Sequence, residues 1–202
     1  LDPASHFFGV DARIWQALIA GGVVAVGWLV NGARQRAETR ALRAERLRDA
    51  HRALFAEIEA HLTTLGSEEA LDAQGRAALA RMASDRGFVP FVPRGRQDRL
   101  FTALEGEIHV LPRVTIDAIV RYYAQLDAVS SLVEDMRGTR FRELEPERRA
   151  AIYGDYVEMQ KELLGRGRIA NRLIAVFARS GKDAAEAEAG LLSSSAGDPS
   201  AR

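Results

Sequence analysis

The sequence holds no cysteine. That absence excludes a disulfide framework, a thiol nucleophile and any Cys-ligated zinc site. Lysine is almost missing as well, since only Lys161 and Lys182 accompany the arginines. We read that bias, with the many Ala, as G+C-rich coding rather than function. Net charge is also lacking: 28 basic residues balance 28 acidic ones, so the chain is not basic overall in the manner of a nucleic-acid binder. No alternating strand pattern persists, and there is a single long uncharged run. What is present is a 202-residue chain, 47% hydrophobic, enough for one domain with one appendage.

The run from Ile14 to Val30 reads IWQALIAGGVVAVGWLV, with Gln16 its only polar side chain besides the indoles. Seventeen helical residues rise roughly 25 Å, at the short end for a bilayer core of about 30 Å. Trp15 and Trp28 stand near its two ends, where amphipathic rings favour the headgroup boundary. A buried helix of a soluble protein is the alternative reading. A cleaved leader lacks its basic start, because residues 1–13 carry Asp2, Asp11 and Arg13. Asn31-Gly32-Ala33 is also a poor cleavage signal. The expectation is an uncleaved transmembrane helix over 14–30, preceded by a short extracytoplasmic segment, 1–13.

Residues 31–52 hold Arg34, Arg36, Arg40, Arg43, Arg46, Arg48 and Arg52 against Glu38, Glu45 and Asp49. Arg-rich flanks stay on the cytoplasmic side, which predicts a single-pass protein of the bacterial inner membrane with its N-terminus outside. Trp15, Trp28, Arg34, Arg36 and Arg40 are the expected membrane-interface residues, with the lipid bilayer as partner and no nucleic acid. Ala17, Gly21 and Ala25 recur every fourth residue, a stripe that lets two helix backbones approach and suggests a homo-oligomer.

Beyond the collar the pattern stays helical. Leu47, Leu54, Ile58, Leu62 and Leu65 form one stripe, so a single helix is expected from the membrane to about residue 65, with Asn31-Gly32 a candidate bend. Ser67 caps a second helix to Ser84, weakened by Gly75. Further helices are expected at 97–108, 113–137 and 146–179, punctuated by Pro112, Gly138 and Pro146. Gly165 and Gly167 are candidate kinks in the last. The expected fold is all-α: the membrane helix continues into a mainly antiparallel bundle over 31–180, with a disordered tail over 181–202. Between the helices, RGFVPFVPRGR (86–96) is too apolar for a free linker. Packing onto the bundle is the favoured reading. The sharper one offers Phe88, Pro90, Phe91 and Pro93 to a cytoplasmic protein partner.

Chemistry is sparse. Glu57 and His61 form an i,i+4 pair, while His51 and His61 point about 80° apart on one helix, poor geometry for a shared metal. The repeated Glu-x-x-His pattern of di-iron bundles is missing. Ser130-Ser131 and Ser193-Ser194-Ser195 lack a G-x-S-x-G context, and no Gly-rich phosphate loop occurs. Tyr122, Tyr123, Tyr153 and Tyr156 are expected to pack between the last two long helices. No catalytic, cofactor or metal residue is assigned, and an enzyme ranks last among the functions considered.

FVPFVPRGRQD (88–98), FTALEGEIHVLP (101–112), IDAIVRYYAQL (116–126) and FRELEPERRAAIYGDY (141–156) carry a resemblance. With the N-terminal anchor, these segments resemble a group of uncharacterised bacterial membrane proteins, each having one span and a cytoplasmic helical region. The resemblance implies that architecture and brings no activity. Two functional classes follow: a membrane-tethered interaction or scaffold module and, ranked lower, a signalling or envelope-stress component transmitting through the juxtamembrane helix.

Overall fold

Helix dominates the chain from Ala12 onward in the computed structural model, which describes residues 6–7, 10–94 and 99–196. Two compact units divide it, residues 1–46 and 47–202, and helix α1 (Ala12–Leu65) contributes to both.

In the first unit, β1 (His6–Phe7) and β2 (Val10–Asp11) pair antiparallel with His6 opposite Asp11, ahead of α1. This small pairing was not expected from the sequence. Asn31 and Gly32, the candidate bend, are both helical. Val26, Trp28, Leu29 and Val30 are exposed. Among the described residues no helix is long and apolar enough to cross a membrane. The side chains of 12–21 and 23–25 lie outside the described residues, and with them the expected roles of Trp15, Ala17, Gly21 and Ala25.

The second unit joins the end of α1 to α2 (Glu68–Ser84), α3 (Arg99–Leu104), a 3-10 turn (Glu105–Val110), α4 (Arg113–Arg137), α5 (Thr139–Glu143) and α6 (Pro146–Ala196). Its helix ends follow the punctuation. Gly66, at φ +81°, turns the chain and donates its N–H to the Leu62 carbonyl at 3.0 Å. Ser67 then accepts from the Ala70 N–H at 3.2 Å. Pro112 caps α4, and Gly138 ends it. The helix expected over 97–108 is shorter; residues 97 and 98 lie outside the described residues, and the chain tightens to 3-10 geometry at Glu105, next to Gly106.

Leu54, Ile58, Ile119, Tyr122, Leu164 and Ala170 form the centre of the core, where α1, α4 and α6 meet. Gly165 and Gly167 do not kink α6; both remain helical. Gly167 instead permits a close approach. A Cβ placed there would fall 2.6 Å from Leu62 Cδ2 and 3.0 Å from the Tyr122 ring. Gly75 does the same more mildly, with Val157 Cγ1 3.0 Å from the corresponding point. Glycine weakens a helix through backbone entropy, and here it admits a neighbouring side chain in return.

The disordered tail expected from residue 181 is corrected by the structure, which is helical to Ala196. Gly181 breaks α6 into two limbs with φ 80° and ψ −171°, a conformation essentially reserved for glycine. The second limb folds back along the first: Arg172 pairs with Glu188, and Ala185 is fully buried. Composition misled because alanine buries little surface yet packs closely and favours helix more than any other residue.

Candidate functional site

The second-unit stretch of α1 places a row of polar side chains against α3, α4 and α6. His51, nearly buried, meets Thr115 Oγ1 through Nε2 at 3.0 Å. The Thr115 hydroxyl donates its own hydrogen to the Pro112 carbonyl. It is therefore the acceptor toward histidine, which assigns the Nε2–H tautomer to a neutral His51. Burial lowers the His51 pKa to about 4. Its ring also meets the Phe177 edge at 5.2 Å between centroids.

Two turns on, Glu57 and His61 each reach another helix. The Glu57 carboxylate accepts the backbone N–H groups of Leu100 (2.9 Å) and Phe101 (3.1 Å) and the Tyr123 hydroxyl at 2.6 Å. Those two amides belong to the first turn of α3, so a side chain from a distant helix satisfies donors that would otherwise be orphaned. The Phe101 ring stacks on Tyr123 at 3.9 Å and closes the arrangement. His61 Nδ1 lies 2.9 Å from the Tyr122 hydroxyl. Burial first, and then the nearby Glu57 charge, push the Tyr122 phenol above its ordinary range. Glu59 accepts from Asn171 Nδ2 at 2.9 Å, leaving the buried Asn171 Oδ1 without a protein partner.

Tyr153 and Tyr156 pack with ring centroids 5.8 Å apart. The Tyr156 phenol is raised to about 12 by burial and then by its neighbour Tyr153. Among the described residues, no group of three or more His, Asp or Glu is placed to hold a metal ion. The polar row has the arrangement of a fastening: donors and acceptors meet one another across helices.

The segment after α2 packs on the bundle through residues 88–90 and Val92. Pro90 and Val92 are buried, and Phe88 lies half-buried under the Arg81 guanidinium, 4.3 Å from its ring centre. Arg137 donates to the Val92 carbonyl at 2.9 Å. Buried Arg149 donates to the carbonyls of Arg86 and Arg142, tying this segment to the end of α5, while its Nε has no protein partner. Phe91, between buried neighbours, is 85% exposed, and Pro93 is exposed too. Of the four residues of this stretch expected to face a partner, Phe88 and Pro90 are packed, and Phe91 and Pro93 are exposed. Sequence reasoning missed Arg149 and Arg137 as its anchors, since backbone carbonyls leave no compositional signature.

In the first unit, Trp28 is 81% exposed, and Arg34, Arg36 and Arg40 are exposed on the following turns of α1. A groove of about 630 Å3 in the second unit runs between α4 and the two limbs of α6, floored by Val114, Ala118, Ile169 and Leu173. Arg121 and Arg166 stand at its edge, and Arg166 is bound to Glu162 and to the Arg121 carbonyl.

No family model matches this chain, and neither a curated protein nor a solved structure matches it at a significant level.

Proposed function

We propose that the chain is a membrane-anchored helical interaction module. Its uncharged run 14–30 crosses the bacterial inner membrane with the N-terminus outside, and its bundle is held on the cytoplasmic side. The observation that carries this reading is the continuity of α1. One helix, Ala12–Leu65, includes the uncharged run and the Arg-rich collar, and its last turns are fastened into the core by Glu57, Glu59, His51 and His61. Seventeen residues without a charge favour lipid, and the Arg excess that follows favours retention on the inner side. Exposure of Val26, Trp28, Leu29 and Val30 in the isolated chain fits a lipid environment for that stretch.

On this reading Phe91 is the residue offered to a cytoplasmic protein partner: an exposed ring whose neighbours Pro90 and Val92 are buried. A pre-ordered aromatic loses little entropy on contact. Self-association through Ala17, Gly21 and Ala25 is part of the same proposal, and Gly21→Leu should weaken it. No catalytic activity is assigned. Topology reporters fused at the C-terminus, with alkaline carbonate extraction, test the anchor. A cytoplasmic signal in the carbonate-resistant fraction supports it, and an extractable protein or an outside signal overturns it.

The second reading, a signalling component, is favoured by one observation. The polar pairs from α1 to α3, α4 and α6 fit a single register, so displacing α1 would unmake them together. Crosslinks between α1 and α4 whose yield changes with an envelope stimulus would support it.

A further inference from the structure

Read around the helix, the collar's charge is not evenly distributed. Successive residues of α1 lie about 100° apart, so Arg36, Arg40, Arg43 and Arg46 fall within an arc of about 120°. No acidic residue shares that arc. Gly32 and Thr39 lie within it, and Gln35 borders it. Glu38, Glu45 and Asp49 sit on the opposite side, together with Arg34, Arg48 and Arg52. The excess positive charge of residues 31–52 therefore resides in one stripe of four arginines, and the other face is neutral. All four stripe residues are exposed. None of them takes part in an ion pair among the described residues.

Arginines interleaved with acids at helical spacing would make a solvated, self-compensated face. The opposite side of the collar has that form and the stripe does not. Arg36 shows where the heads reach: its guanidinium folds back over Gly32, 3.7 Å from where a Cβ there would lie. Helical side chains lean toward the N-terminus, here toward the uncharged run. Arg36 to Arg46 spans about 15 Å along the axis, so a helix leaving a bilayer upright would bring only the first arginines into the headgroups. A tilt toward the stripe brings in the rest.

We propose that the stripe Arg36, Arg40, Arg43 and Arg46 is a contact surface for the phosphate headgroups of anionic phospholipids, and that it sets the tilt and rotation of α1 at the membrane. This rests on the anchored reading above and specifies which face of the collar meets lipid. Arg34, although nearest the run, belongs to the neutral face and is left out of the contact. Guanidinium is suited to the task, since it stays charged and grips phosphate oxygens in pairs.

A chain without cysteine permits a clean test with single introduced thiols. The full-length protein carrying Thr39→Cys within the stripe, or Ala41→Cys opposite it, is labelled with an environment-sensitive dye. It is then reconstituted into phosphatidylcholine vesicles with or without phosphatidylglycerol. The label at 39 should become shielded from acrylamide only with phosphatidylglycerol, while the label at 41 stays accessible. High salt should reverse the shielding, because the screening length falls to about 3 Å at 1 M. Each Arg→Gln exchange within the stripe should weaken the phosphatidylglycerol preference roughly fivefold, the equivalent of about 1 kcal/mol. Exchanges at Arg34, Arg48 and Arg52 should leave it unchanged.

Protein that floats with both vesicle types but shows equal accessibility at 39 and 41 overturns the stripe and leaves the anchor standing. Protein that floats with neither overturns the anchor. Shielding at 39 that appears in phosphatidylcholine vesicles only after a duplex oligonucleotide is added would assign the stripe to nucleic acid and overturn the proposal.

Discussion

Two stretches of one helix invite comparison. Residues 26–46 and 47–65 of α1 are drawn from similar side chains, Arg, Glu, Ala and Leu at helical spacing, and they treat their polar groups in opposite ways. In the first stretch the charges are exposed, and the arginines of the stripe have no counter-ion. In the second, Glu57, Glu59, His51 and His61 each meet a partner on another helix. A polar residue on a helix is a surface group or a fastening according to what approaches it. The second role raises the penalty for removing it, most of all where the pair is buried, as at His51–Thr115 and His61–Tyr122.

The largest expected contrast comes from carboxylates. Glu57→Ala strips the half-buried Phe101 N–H and Tyr123 hydroxyl of a charged acceptor, while water reaches the exposed Leu100 N–H, and should cost about 3 kcal/mol, since hydrogen bonds to a charged group run about 1.5–3 kcal/mol each and are not additive. Glu38→Ala, in the exposed stretch, should stay within about 0.5 kcal/mol. Urea unfolding of the two variants in one detergent would erase the comparison if the losses were equal.

Acid should act next. His51 binds a proton readily when unfolded, near pH 6.5, but only at about 4 when folded. Between those values the unfolded state holds the extra proton, so stability is full above the window and falls as pH drops through it. At about 1.4 kcal/mol per pKa unit the loss is about 3 kcal/mol by pH 4. Carboxylates titrate at the lower end of the window, and subtracting the profile of His51→Gln isolates the histidine. Identical profiles for the two proteins would remove His51 from the fastening.

A smaller effect separates two glycines. At Gly167 an added methyl meets Leu62 and the Tyr122 ring at once, so Gly167→Ala should cost about 2 kcal/mol through overpacking. At Gly75 only Val157 is in the way, and a helix-propensity gain of about 1 kcal/mol offsets the contact, so Gly75→Ala should be nearly neutral. Thermal midpoints would show it.

Legibility in the sequence tracked the range of the interaction. Ser67, Pro112 and Gly138 act on their own neighbours, and the ends of α2 and α4 fell where those residues placed them. The apolar stripe Leu54, Ile58 and Leu62 is likewise local, and all three are core. Glu57 stands four residues from His61 in the sequence, whereas its partners at 100, 101 and 123 are fixed by tertiary approach. The helix after Gly181 was hidden by the small size of Ala185 and Ala189, and the breadth of α1's polar row by the same long-range geometry. In the collar, by contrast, the segregated stripe was present in the spacing of its arginines and needed only a helical frame to become visible.

The carboxylate that caps α3 also ties together two events in time. A helix of six residues does not persist in water by itself, and the acceptor for its first amides lies 43 and 44 positions earlier in the chain. α3 therefore borrows its order from α1. The amide protons of Leu100 and Phe101 should exchange with solvent at the pace at which α1 lifts from the bundle, rather than at the pace of local fraying. Those two hydrogens keep the time of a motion that takes place in another helix.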